Sequence, residues 1–68
     1  MKIENAVQKA EKWLDIKGIE GVAQSEYEGK PCILVLISLP SEHMKKQLPA
    51  TYYGHLVLLK ETGQIDAQ

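Results

Sequence analysis

The sequence predicts a small α+β domain with an αββαβ order of elements, in which two helices cover one face of a three-stranded mixed sheet ordered 1-2-3. Two observations lead to this prediction. The hydrophobic period is helical before Gly21 and strand-like after it. Two apolar runs, 32–37 and 55–60, are then separated by enough residues for a helical crossover. The chain is short enough to form one domain, residues 1–68.

The first element is predicted to be a helix, because apolar residues recur at three- and four-residue spacing and charged residues take the other side. Lys17-Gly18-Ile19 predicts its end, since a glycine after the last turn can adopt the left-handed conformation that terminates a helix. Ile19 is then placed to fold back on Leu14. The buried stripe of this helix is predicted to consist of Ile3, Ala6, Val7, Ala10, Trp13 and Leu14.

A β-hairpin is predicted next, with a Gly/Pro turn over residues 28–31 between its two strands. The first strand, 22–27, is rich in polar residues and suits an edge position. The second strand, 32–37, is apolar on both faces, which is typical of a central strand.

A short helix over residues 42–48 is predicted to follow, capped by Ser41 and ended by Pro49, with Met44 and Leu48 facing inward. It forms the crossover to a third strand, 55–60, and the crossover is predicted to be right-handed and to make the second and third strands parallel. The tail 64–68 is predicted to be a strand stub or a frayed end.

Composition argues against several classes of function. All eight basic residues are lysines, the net charge is -1, and Lys and Glu are interspersed along the chain, whereas nucleic-acid-binding domains concentrate positive charge and favour arginine. Neither a secretory leader nor a membrane span is predicted, because the longest apolar stretch is only 32–37. The single cysteine, Cys32, is expected to be a buried thiol in a reducing compartment, and we expect the protein to be cytoplasmic.

The segment Gly18-Ile19-Glu20-Gly21-Val22, followed by a hairpin and the strand from residue 32, resembles the helix–GV–strand–strand portion of ferredoxin-like modules such as the heavy-metal-associated domains. The resemblance covers the first half of the chain and implies a ferredoxin-like variant lacking the first strand. The Cys-x-x-Cys loop that those domains use to hold a metal is missing here, so the resemblance carries no metal-binding function to this chain.

The whole pattern is more similar to a group of short uncharacterised bacterial αββαβ domains that occur alone or beside trypsin-like protease domains. The shared positions are glycines, prolines and apolar residues, which specify turns and packing. The resemblance therefore implies a fold and an accessory role, and it supplies no active site. Besides the segment that begins at Gly18, it rests on Gly29, Leu48-Pro49, Gly54 and Gly63-Gln64-Ile65.

No catalytic, cofactor-binding or metal-ligating residue is predicted, and the chain is not expected to be an enzyme. Cys32, His43 and His55 are the ingredients of a Cys/His enzyme or a metal site, but they lack any recognised spacing. Glu26 and Glu28 can lie on one face of a strand, where solvation explains them better than acid–base chemistry.

The predicted function is a non-enzymatic protein-interaction or accessory module, a homodimer or a domain that docks on another protein, associating through the sheet. The alternative is an accessory domain that binds a small ligand or a metal. Nucleic acid and membrane are not expected as partners. Two neighbouring tyrosines near a strand start and the second apolar face of the sheet carry the interaction hypothesis, and the candidate contacts are Tyr52, Tyr53, Leu34, Leu36 and Leu58.

Overall fold

Residues 1–62, which the computed structural model describes, form an α+β domain of two helices and a four-stranded mixed sheet. The prediction for the tail 64–68 lies outside the described residues. In chain order the elements are α1 (Ile3–Ala10), a 3₁₀-helix (Glu11–Asp15), β1 (Ile19–Tyr27), β2 (Lys30–Ile37), α2 (Ser41–Lys45), β3 (Thr51–Tyr52) and β4 (His55–Glu61).

The strands are ordered β1-β2-β4-β3, with β1 and β2 antiparallel, β2 and β4 parallel, and β3 antiparallel to β4. The hairpin and the parallel crossover are as predicted, but the three-stranded sheet of order 1-2-3 is wrong. The additional strand, β3, arises because Tyr53 and Gly54 have φ angles of 52° and 81°. Positive φ at both central residues is the requirement of a type I′ hairpin turn, which folds the residues before β4 back onto it.

The turn between β1 and β2 has the same geometry. Glu28 and Gly29 have φ angles of 53° and 82°, and Tyr27 and Lys30 flank them as paired residues. Both hairpins of the sheet therefore have two-residue turns of the kind that matches the right-handed twist of their strands. The other end of β1 contains a bulge between Ile19 and Gly21.

The first helix changes its geometry part-way. It is α-helical to Ala10 and then 3₁₀-helical to Asp15, so the residues per turn fall from 3.6 to about 3.0. The tighter winding rotates the buried stripe: Trp13 is 6% exposed, whereas Leu14 is 46% exposed. Leu14 was predicted to be buried and to receive Ile19, and that prediction is wrong.

Gly18 ends this segment with a φ of +101°, as the helix-end prediction requires. Its carbonyl oxygen accepts a 2.8 Å hydrogen bond from the Ser38 amide, which joins the start of β1 to the end of β2. The following residue, Ile19, is buried in the core.

Helix α2 is shorter than predicted and has a different cap. It spans Ser41–Lys45 with Pro40 at the N-cap position, and the Ser41 hydroxyl makes no capping bond. Instead the Ser41 amide donates a 2.9 Å hydrogen bond to Glu61 Oε2, at the end of β4. A side chain distant in sequence thus satisfies one of the free amides at the start of the helix.

The core lies between the helices and one face of the sheet, as predicted. Alternation along β2 directs Ile33, Val35 and Ile37 toward the helices, and all three are fully buried. Trp13 and Leu48 are also buried in this layer. The buried cluster consists of Ala6, Ala10, Trp13, Ile19, Ile33, Val35, Ile37, Met44, Leu48 and Val57.

Candidate interaction surfaces

The face of the sheet opposite the helices is apolar. The side chains that alternate with the core residues of β2 and β4 include four leucines, which we call the leucine face: Leu34, Leu36, Leu56 and Leu58. None of the four belongs to the buried cluster or packs against it, and all are partly exposed. Within residues 1–62 neither helix lies on this face, because both pack on the other one.

The register of the strands brings the leucine face together. Leu34 lies beside Leu58 across the parallel β2–β4 pair, and Leu56 lies beside Cys32. On the β1 side the neighbours are small: Ala23 pairs with Leu34, and Gly21 with Leu36. A Cβ atom at Gly21 would be 3.4 Å from Leu36 Cδ1, so the leucine leans over the glycine. The leucines therefore form one continuous patch.

A second cluster is aromatic and lies on the helical side. Tyr52 packs against the core, with its ring centroid 4.7 Å from that of Trp13, and Tyr53 meets Tyr52 edge-on at 4.6 Å. Lys12 Nζ lies 5.8 Å from the centroid of the Tyr52 ring, within cation–π distance. Tyr53, on the tight turn, is 49% exposed.

The five predicted partner contacts therefore divide between two surfaces. Leu34, Leu36 and Leu58 share the leucine face, whereas Tyr52 and Tyr53 belong to the aromatic cluster. One of the two tyrosines is half-buried and the other is exposed, as predicted, but the predicted reason, alternation along an extended segment, is wrong: Tyr53 has a φ of 52° and lies on the turn that follows β3. Their role as contacts stays a prediction.

Two of the three candidate Cys/His residues line one cleft. It has a volume of about 440 Å³, lies at the end of the sheet between the two hairpin turns, and includes Cys32 and His55 but not His43. Cys32 is only 1% exposed. The His55 Nε2–H group donates a 2.7 Å hydrogen bond to the Met1 carbonyl oxygen, which ties the start of α1 to β4. The Cys32 thiol is therefore almost closed off from solvent, and one of the two ring nitrogens of His55 is engaged by the backbone.

The described residues contain no group of three or more His, Cys, Asp or Glu side chains placed to hold a metal ion. Glu26 and Glu28 are exposed at the β1–β2 hairpin, at its strand end and its turn. No helix over residues 1–62 has the length and apolar character needed to cross a membrane.

A cleft that the sequence did not indicate lies between α2 and the outer edge of β4. Its volume is about 480 Å³, and it is lined by Ser41, Lys45 and residues 48–50 on one side and by residues 57–59 on the other. Among residues 1–62, β3 is only two residues long and leaves the rest of β4 without an outer neighbour, which opens the cleft. Pro49 and Ala50 precede β3 in the chain, and the Tyr53-Gly54 turn follows it.

Comparison of the chain with protein-family models, with curated proteins and with solved structures gives no match. The resemblance to bacterial αββαβ domains and to ferredoxin-like modules therefore stays a prediction from sequence.

Proposed function

We propose that this protein is a non-enzymatic interaction module that self-associates through the leucine face. The observation that carries the proposal is the position of Leu34, Leu36, Leu56 and Leu58, which are adjacent, partly exposed and on the sheet face opposite the helices. Contiguous apolar patches on the order of several hundred Å² are uncommon on monomers and are typical of interaction sites.

The chemistry of the face supports association between proteins. The centre of the patch carries no charge, and Lys60, beside Leu36, stands at its corner. Interface cores are depleted of charge in the same way, while charged residues stay at the rim. The small residues Gly21, Ala23 and Ser25 along β1 leave room for a partner's side chains to approach the sheet.

A second copy of the chain is the simplest partner for this surface. A twofold axis through the sheet places the same patch on both subunits, and two sheets packed face to face lie about 10 Å apart with interdigitated side chains. Such a dimer would also add buried apolar area, at about 25 cal/mol per Å², to a chain whose own core is small.

Sedimentation of the full chain over a range of concentrations tests the proposal. The expected result is a species of about twice the 7.6 kDa chain mass. Leu34→Lys and Leu58→Lys should each return the mass to that of one chain, because they place an unpaired charge at the centre of the patch. Leu14→Lys is the matched control, since Leu14 is an exposed leucine on the 3₁₀-helix and is not part of the leucine face. A folded wild-type monomer at all concentrations would contradict self-association.

A small-ligand accessory function is the second candidate, and the cleft shared by Cys32 and His55 favours it. A thermal-shift screen against metal ions and metabolites tests it: a ligand whose stabilisation is lost in both Cys32→Ala and His55→Gln would support it. The single free thiol supports a reducing compartment such as the cytoplasm. The β1–β2 hairpin and the parallel β2–α2–β4 crossover are the features that support a ferredoxin-like variant.

A further inference from the structure

Within the part of the chain that the structure describes, the outer edge of β4 has unpaired backbone groups. The Thr62 amide donates to the Ile37 carbonyl on β2, whereas the Val57 amide donates to the Ala50 carbonyl on the opposite side. Because backbone groups alternate along a strand, the amide and carbonyl of Leu59 also point outward. Among residues 1–62, β3 pairs with β4 only at Leu56 and His55, so no strand reaches Leu59.

This exposed edge forms one wall of the cleft described above, and α2 forms the other. Val57 and Leu59 belong to the core side of β4, so their side chains form an apolar floor beneath α2. Leu48 and Pro49 add apolar surface at the end of the cleft near β3. A strand added alongside β4 would place alternate side chains into the cleft and its backbone against Leu59, which is the geometry of β-augmentation.

The other edge of the sheet is protected against the same addition. β1 carries Glu20 and Glu26 and contains a bulge between Ile19 and Gly21. Charged residues and bulges are the usual devices that prevent strand pairing at an edge. The free part of β4 has an apolar cleft beside it instead, and this difference favours β4 as the edge that recognises a ligand.

The charges in and beside the cleft determine which side chains a bound extended peptide can carry. Of the described residues, Lys45 is the one charged side chain that lines it. At the end near Ser41, the Glu61 carboxylate accepts the Ser41 amide, so an acidic ligand residue would be repelled there. At the opposite end Leu48 offers an apolar surface. Side chains on the same face of an extended ligand are two positions and about 7 Å apart. If one such side chain contacts Leu48, the next one on that face lies toward Lys45.

We propose that this cleft binds an extended peptide segment of another protein, which adds as a strand to β4. The segment carries an apolar residue at the Leu48 end and an acidic residue two positions away, at Lys45. The proposal goes beyond self-association. Leu58 borders both surfaces, so Leu34 and Lys45 are the residues that let the two proposals fail separately: Leu34 does not line the cleft, and Lys45 is not on the leucine face.

The probe is a fluorescein-labelled, acetylated and amidated nonapeptide of threonine and serine with one leucine and one aspartate two positions apart. Two peptides are made, one with the leucine before the aspartate and one with the aspartate before the leucine. The direction in which the added strand runs along β4 decides which of the two peptides fits the cleft. Binding to the full chain is measured by fluorescence anisotropy. One of the two peptides should bind saturably, and its asparagine analogue should bind about fivefold more weakly.

Two lysine variants, one at the end of α2 and one in the turn that follows it, distinguish a direct contact in the cleft from a general effect of the protein's charge on peptide binding. Lys45→Glu should lower the affinity for the aspartate peptide about tenfold and should lower the affinity for the asparagine peptide less. This difference is what a double-mutant cycle gives for a direct contact between the lysine and the aspartate. Lys46→Glu, its neighbour outside the cleft, should change the affinity less than about twofold. Both lysines are exposed, so neither change threatens the fold.

Hydrogen exchange locates the bound peptide. The Leu59 amide should become protected when the aspartate peptide is added, while amides of β1 should not. The proposal is overturned if neither peptide binds saturably, if Lys45→Glu and Lys46→Glu have equal effects, or if protection appears along β1 or across the leucine face instead.

Discussion

Gly18 combines two constraints that no other residue type satisfies. Its φ is +101°, and a Cβ atom there would lie 2.6 Å from Leu39 Cδ1 and 3.2 Å from Met44 Sδ. We expect Gly18→Ala to lower the free energy of unfolding by about 2 kcal/mol or more, because backbone strain adds to displacement of the Leu39 side chain and of Met44 beside it. Urea denaturation followed by Trp13 fluorescence measures the change.

Gly29 provides the matched control, because it shares the strain but lacks the clash. Its φ is +82°, and a Cβ atom there would have no described atom within 4 Å. Gly29→Ala should therefore cost only about 1 kcal/mol. Equal costs for the two substitutions would show that the contact of Gly18 with Leu39 and Met44 does not constrain the helix end.

Cys32 tests burial on the leucine side of the sheet. The thiol is 1% exposed between Ser25 and Leu56 in the strand register, so a reagent reaches it only when the sheet opens. Labelling with a disulfide reagent at neutral pH should be about a hundredfold or more slower than in urea, if opening costs about 3 kcal/mol. Rapid labelling of the native chain would show that β2 is accessible from this face and would reopen nucleophilic or redox roles for the thiol.

At the scale of the element, the transition from α- to 3₁₀-helix decides which residue of the Trp13-Leu14 pair stabilises the fold. Trp13→Ala should cost about 3 kcal/mol, as for other buried aromatic residues. Leu14→Ala should cost less than about 0.5 kcal/mol, because its side chain is already in water. A continuous α-helix would bury Leu14 as well, and a cost of about 2 kcal/mol or more for Leu14→Ala in thermal unfolding would therefore contradict the 3₁₀ segment.

The elements that the sequence predicts correctly are those defined by long hydrophobic periods. The stripe from Ile3 to Ala10 and the apolar run of β2 each have many residues that agree, and the fifteen-residue connection requires a crossover. The features it missed depend on one or two residues. Nothing in Tyr53-Gly54 distinguishes a type I′ turn from any other glycine turn, since tyrosine is an unusual residue at positive φ.

The helix cap and the candidate surfaces show the same limit. Ser41 is the residue type that caps helices, but the Ser41 amide is satisfied by Glu61, and a contact twenty residues away has no local pattern. The leucine face was predictable because alternation along β2 assigns each side chain to a face. The cleft beside β4 was not, because it depends on how far β3 extends.

For the whole molecule, the sheet has an apolar layer on each face, and the two layers differ in how much of their surface is exposed to solvent. The helices bury Ile33, Val35 and Ile37 completely, whereas Leu34 and Leu36 on the same strand stay partly exposed. A chain of this size buries only about 60% of its unfolded surface, so its stability is small and a partner on the second layer would add a large fraction of the total. Association and folding are therefore expected to be linked.

This linkage predicts a melting temperature that depends on protein concentration. A dimer that dissociates as it unfolds gains about 0.7 kcal/mol per chain for each tenfold rise in concentration, which corresponds to about 3–5 °C for a domain of this size. Calorimetry between about 10 µM and 1 mM measures it. Leu34→Lys should melt lower and at a temperature independent of concentration, while Leu14→Lys should keep the wild-type dependence, because only Leu34 lies on the proposed interface. A wild-type melting temperature that is constant over this range would show that the leucine face is not buried by a second copy when the chain folds.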